Sequence, residues 1–261
     1  MSRRGLGLLA GLALAWASLA WTVPAVAGTP FGNWAAIVVA GDWHAHSGGP
    51  SEAFDNARRD VSRELVRMGF DPAHIRQFSV RPERYADTHP LKTEVRGIYD
   101  TLIDLTAKAP DGCLIYFSSH GAPTGVVVDQ GILPPGVLGD ILDRTCGQRP
   151  TVVVISACFS GVFVPELASP NRMVLTAARP DRTSFGCGEA DKYPYFDDCF
   201  LQTAPQSHDF PSLARGVQAC VANREVKEGM KPPSEPQLFI GAQLRPMLPL
   251  YPFQNGPPRG E

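Results

Sequence analysis

Two apolar runs, each ending on a residue able to do chemistry, constrain this chain more than any other feature in it. Cys113-Leu114-Ile115-Tyr116-Phe117-Ser118-Ser119-His120-Gly121 and Thr151-Val152-Val153-Val154-Ile155-Ser156-Ala157-Cys158-Phe159-Ser160-Gly161 are rich in β-branched and aromatic residues and are bounded by turn formers. Short continuous apolar runs of this kind fit strands buried on both faces, as in a mainly parallel sheet. In open sheets of that class, reactive groups gather just beyond the carboxyl ends of the strands. His120 and Cys158 both stand there, as a thiol nucleophile and its acid/base partner would.

The rest of the pattern supplies the helices that such a sheet needs. Residues 34–41 read as a first buried strand ending in Gly41. Ser51 is placed to cap a helix in which Phe54, Ala57, Val61, Leu65 and Met68 recur at helical spacing until Gly69, with Arg58, Arg59 and Arg63 expected on a solvated face. Residues 75–80 read as a short strand near an edge. Residues 90–108 read as a helix burying Val95, Ile98, Leu102 and Leu105. Past His120, Gly125-Val126-Val127-Val128-Asp129 with Gly131 suggests a small ribbon beside the site, and 135–144 a helix burying Val137, Leu138, Ile141 and Leu142. Residues 173–178 read as another core strand, and 179–198 as a long loop walling a pocket. Leu213, Val217, Cys220 and Val221 mark a late helix, 237–240 a last strand, and the Pro- and Gly-rich tail from Arg245 an extended end. The alternation predicts one α/β domain, a helix-flanked, mainly parallel sheet with right-handed crossovers, over residues 28–245 and followed by a tail over 246–261.

The first 27 residues follow a secretory pattern: Arg3 and Arg4, an apolar run from Leu6 to about Ala20, then Ala25-Val26-Ala27 before Gly28. The expectation is a cleaved signal peptide and an exported chain, periplasmic or extracellular. No later apolar run approaches the length of a membrane span. A net charge of -2 gives no electrostatic reason to expect a nucleic-acid or anionic-membrane partner. His44 and His46 form an H-x-H pair, but apart from Asp42 no further ligand type lies at metal-binding spacing, so they read as loop histidines and no metal is expected. Export permits disulfides among the six cysteines. Cys158 is reserved as a thiol and Cys113 reads as a buried core thiol, which leaves Cys146, Cys187, Cys199 and Cys220 as candidates of unsettled pairing.

The segments Phe117-Ser118-Ser119-His120-Gly121 and Ile155-Ser156-Ala157-Cys158-Phe159-Ser160-Gly161, with Val38-Val39-Ala40-Gly41 upstream and Thr176-Ala177-Ala178 downstream, resemble the legumain-type cysteine peptidases of the caspase-like superfamily. The resemblance spans residues 34–201. It implies a caspase-like fold and a cysteine endopeptidase acting on protein or peptide substrates with no cofactor. In it Cys158 attacks the scissile carbonyl, His120 manages the proton, and the backbone N–H groups of Gly121 and Cys158 form the oxyanion hole.

Asparaginyl members of that family bind the P1 side chain with an Arg in the loop after the first strand, an acid two residues before the nucleophile, and a later Asp. Here no Arg or Lys lies between Gly41 and Asp55, and Ser156 stands two residues before Cys158. Asp197 or Asp198 is the candidate for the third place, and with Ser156 these are the candidate substrate-binding residues. An unpaired Asp on a pocket floor would favour a basic P1 side chain, whereas a surface Asp in a loop would favour nothing. Two rival readings share the motifs: a transpeptidase passing the same thioester to an amine, and an inactive caspase-like binding or scaffold module. Ser118 and Ser119 are candidates, by proximity alone, for orienting His120.

Overall fold

The computed structural model describes residues 28–254. The leader expected over residues 1–27 and the last part of the tail lie outside the described residues. Ten strands follow in chain order: β1 (Trp34–Ala40), β2 (Ile75–Ser79), β3 (Leu91–Lys92), β4 (Gly112–Ser118), β5 (Gly121–Ala122), β6 (Gly125–Val128), β7 (Gly131–Leu133), β8 (Thr151–Ser156), β9 (Arg172–Thr176) and β10 (Gln237–Ile240). Between them run helices α1 (Ala53–Met68), α2 (Val95–Lys108), α3 (Pro135–Thr145), α4 (Phe163–Leu167), α5 (Tyr195–Thr203) and α6 (Phe210–Glu228), and α7 (Leu244–Met247) follows β10. Seven strands form one sheet in the order β10-β9-β8-β4-β1-β2-β3, and β5-β6-β7 form a separate antiparallel ribbon. All neighbours in the large sheet pair in parallel except β10, which runs against β9.

Alternation along the strands explains the unbroken apolar runs. Successive side chains point to opposite faces. Trp34, Ala36 and Val38 of β1 join Leu114 and Tyr116 of β4 in a cluster with Val61 and Leu65 of α1, Phe196 and Phe200 of α5 and Val217 of α6. Their neighbours Ala35, Ile37 and Val39, with Ile115 and Phe117, pack instead with Ile98 and Leu102 of α2 and Leu138 and Leu142 of α3. Both faces are therefore core. Each large side chain so buried contributes about 1.5–3 kcal/mol relative to exposure, and neither face has room for a polar stripe.

Several expectations need correction. Arg58 is wholly buried, not solvated: its Nε donates to Asp55 at 2.9 Å, and Nη1 reaches Gln77 and, at 3.3 Å, Thr88. Cys113 is not a thiol but is joined to Cys146, which ties the start of β4 to the end of α3. A second disulfide, Cys199–Cys220, ties α5 to α6, so the free cysteines among the described residues are Cys158 and Cys187. Val137, expected in the core, is exposed because α3 turns that position outward. The helix expected from residue 90 begins at Val95, since Leu91 and Lys92 first pair with β2. The loop expected over 179–198 ends at Pro194, where α5 takes over. Finally, the tail folds back: α7 and a short turn at Leu248–Leu250 bring Phe253 into edge contact with Phe210. The apolar residues in that tail outweigh its Pro and Gly content.

Candidate active site

The parallel pairing of β4 with β8 is what brings the chemistry together. Its last matched pair is Ser118 with Ser156, and the Ser119 N–H donates to the Ser156 carbonyl at 3.0 Å. His120 and Cys158 each lie two residues beyond that pair, on strands about 4.8 Å apart. The glycines of both motifs are sterically required. A Cβ on Gly121 would stand 2.1 Å from the carbonyl oxygen of Cys158, and one on Gly161 would stand 2.5 Å from Cδ of Pro180.

His120 is oriented from the loop after β1. Its Nε2 lies 2.9 Å from the carbonyl oxygen of His44. A carbonyl only accepts, so Nε2 carries the hydrogen and Nδ1 is left as the ring's acceptor. The loop holds that carbonyl in place through Asp42, whose Oδ1 accepts from the N–H groups of Trp43 at 2.6 Å and His44 at 3.1 Å and contacts His44 Nδ1 at 2.7 Å. Phe54, at the start of α1, meets the His120 ring edge to face with centroids 5.0 Å apart. Neither serine orients the ring: Ser119 Oγ donates to the Val127 carbonyl and Ser118 Oγ to Asp197. The expected ribbon does flank the site, with the Val127 N–H donating to the His120 carbonyl at 2.9 Å. Gly121 faces Val126 at a position outside the ladder's hydrogen bonds, so its N–H is not used there.

Cys158 is partly exposed and meets the loop after β9. Its Sγ accepts from the Ser184 N–H at 3.3 Å and lies 3.6 Å from Ser184 Oγ. The thiol in turn lies 3.6 Å from the Ser184 carbonyl oxygen, which accepts from it. Phe159 adopts a left-handed conformation, φ 56°, and its N–H donates to the Arg182 carbonyl at 2.7 Å, which turns the chain sharply behind the thiol. Cys187, on the same loop, is a different thiol. Burial first, and then the neighbouring Cys158, push it up to about 11, so it stays protonated near neutrality.

Beneath both motifs lies Asp197. It is wholly buried on α5 and accepts from Tyr116 Oη at 2.5 Å on one oxygen and from Ser118 Oγ and Ser156 Oγ, each at 2.8 Å, on the other. Burial raises its carboxyl to about 7 against the opposing pull of the three hydroxyls. Asp198 points elsewhere and pairs with Arg224 of α6 at 2.7 Å. Neither Asp is the unpaired acid that a basic P1 side chain would need. Of the candidate residues, the fold thus gathers His120, Gly121, Ser156, Cys158 and Asp197 and sends Asp198 to the α6 side. His46 is exposed. No group of three or more His, Cys, Asp or Glu side chains that could hold a metal occurs among the described residues.

Sequence reasoning missed the His44 carbonyl, Ser184 and Tyr116. A backbone acceptor leaves no side-chain signature. The serines were better marked, because Ser118 and Ser156 share the same offset before His120 and Cys158, a symmetry that points to one shared partner.

A family model described as the Peptidase C13 family matches residues 92–232, more than half of the chain. No curated protein matches. Among solved structures, the crystal structure of caspase-1 from Spodoptera frugiperda is similar with a TM-score of 0.58 at 15% identity, over 81% of this chain and 88% of that one. At that identity the likeness shows the fold alone.

Proposed function

The chain belongs to the peptidase C13 family, the legumain-type, caspase-like cysteine peptidases, and from that premise we propose that it is a cysteine endopeptidase whose catalytic pair is Cys158 and His120. In this reading Sγ of Cys158 attacks the scissile carbonyl while His120 Nδ1 takes its proton, since Nε2 is committed to His44. The N–H groups of Gly121 and Cys158 receive the developing oxyanion. Collapse breaks the C–N bond, and the amine leaves with the proton from His120. Water then attacks the Cys158 thioester, with His120 again as base, and releases the carboxylic acid and the free thiol. The step requires neither metal nor organic cofactor.

The observation that carries this reading is the shared offset: His120 and Cys158 stand the same distance beyond the matched Ser118 and Ser156, with Gly121 packed on the Cys158 carbonyl. Two disulfides among the described residues and the leader pattern of residues 1–27 support an exported protein working in an oxidising compartment. Among the described residues no helix is long and apolar enough to cross a membrane.

The test is cleavage of a peptide mixture with every residue type at P1, read by mass spectrometry, with the mature protein and Cys158→Ala side by side. Cleavage by the first alone is expected, and the fragments give the P1 preference directly. An added primary amine shows how the acyl-enzyme divides between hydrolysis and ligation. Silence from a correctly folded wild type would sink the reading.

A further inference from the structure

We propose that Asp197 is a positioning residue: it braces the carboxyl ends of β4 and β8 against each other and thereby sets the placement of His120 relative to Cys158. The inference rests on those two residues being the catalytic pair.

Beyond the pair Ser118 and Ser156 the two chains have no further ladder partners. The segment after Ser118 turns into the ribbon, and the segment after Ser156 turns into the left-handed bend at Phe159. At that point of divergence one oxygen of Asp197 takes a hydrogen bond from each strand, through Ser118 Oγ and Ser156 Oγ at 2.8 Å apiece. With the Ser119 N–H to the Ser156 carbonyl, this bridge is the last cross-strand tie before the reacting residues.

The chemistry of the acceptor matters. Oδ2 has two lone pairs and both serines occupy it, while Tyr116 Oη takes Oδ1. A carboxylate accepts on both oxygens, whereas an amide of the same shape accepts on only one and presents donors on the other. The carboxylate is also delivered by a fixed element. α5 is tied to α6 by Cys199–Cys220 on the covalent side and by Asp198 with Arg224 on the ionic side. A side chain held in this way locates what it touches. Asp197 has no exposed surface, so it reaches a substrate only through the residues it braces.

The test uses the full mature chain as wild type, Asp197→Asn and Ser118→Ala/Ser156→Ala. Glu225→Gln serves for comparison, because Glu225 is also a buried carboxylate and accepts from Ser234 N–H and Oγ. Three readouts are taken: kcat and KM separately on the best-cleaved peptide, the rate of iodoacetamide alkylation of Cys158 by peptide mass spectrometry, and the melting temperature. Positioning predicts that kcat falls by about 10- to 100-fold in both site variants, with KM held within about threefold. Cys158 alkylation slows in parallel, and combining the substitutions costs no more than either alone. Glu225→Gln lowers the melting temperature while kcat and alkylation stay at the wild-type level.

Two results overturn the proposal. One is a rise in KM with a changed P1 preference at preserved kcat, which would make Asp197 a substrate-binding residue. The other is wild-type kcat and alkylation in the folded variants. Should Asp197→Asn fail to fold, the serine variant decides alone. Should the wild type cleave no peptide, the functional reading fails by itself, and the alkylation rates still decide whether Asp197 places His120 against the thiol.

Discussion

Gly121 rests on the main-chain carbonyl of Cys158, with no room between them for a methyl group. The contact joins the segment that carries the imidazole to the segment that carries the thiol. Side-chain volume at position 121 would push the two apart.

Gly121→Ala is therefore expected to lower kcat/KM by at least about 100-fold, because a shift of about 1 Å in a reacting pair has that effect. The cost in stability should be smaller than a core truncation, since the clash lies at the partly exposed end of the sheet. Steady-state kinetics beside a thermal melt check both parts. Near-normal turnover in Gly121→Ala would show that the two segments do not need this contact.

The disulfide Cys113–Cys146 closes a loop of 33 residues of separation. On the loop-entropy account, its removal by Cys113→Ser/Cys146→Ser should cost about 3–4 kcal/mol. Denaturant unfolding of the variant and the wild type without reductant measures the difference. Since the bond lies at the opposite end of β4 from His120, turnover of the molecules that remain folded should change little.

Asp197 makes stability depend on pH in a direction opposite to that of an ordinary paired carboxylate. Burial raises its carboxyl from 3.8 to about 7, so between those values the native state keeps a proton that the unfolded chain has released. The unfolded state then binds fewer protons, and the stability owed to this group falls as pH rises through that window and levels off above it. The total change is on the order of a few kcal/mol. Unfolding free energies of wild type and Asp197→Asn from pH 4 to pH 8 should differ by an amount that changes across the window, and a constant difference would contradict the assignment.

Arg58 and Asp55 form a buried ion pair at 2.9 Å, both side chains almost without exposure. Arg58→Ala leaves a carboxylate in the core whose charge burial already disfavours. The expected loss is about 3–5 kcal/mol, read by chemical denaturation, and Asp55→Asn in the same background should recover part of it.

The parts of the fold that were legible in the sequence are those with a single physical cause. Burial on both faces writes β1, β4 and β8 as continuous apolar runs, and turn residues mark where they end. Arg58 was misread because its charge spoke for solvent, although its position, four residues after Phe54 and three before Val61, lies in the apolar stripe of α1. What moved it inward was a set of partners, Asp55, Gln77 and Thr88, contributed partly by other elements. Cys113 and Cys146 likewise sit far apart along the chain and meet only because α3 packs back across β4. Within the site, His120 and Cys158 were visible as strand-end residues, but the carbonyl that orients the imidazole belongs to the backbone of His44. The packing of the tail through Phe253 was hidden by its prolines and glycines, which describe local stiffness and say nothing of what an aromatic ring finds to bury against.

The most direct measurement is the site of acylation. The mature protein is mixed with a cleavable peptide, quenched in acid within a turnover, digested and read by mass spectrometry for a thioester adduct. An added mass equal to the acyl half of the peptide is expected on the fragment carrying Cys158, absent from Cys158→Ala and reduced in His120→Ala. An adduct on Cys187 instead, or undiminished cleavage by Cys158→Ala, would contradict Cys158 as the nucleophile.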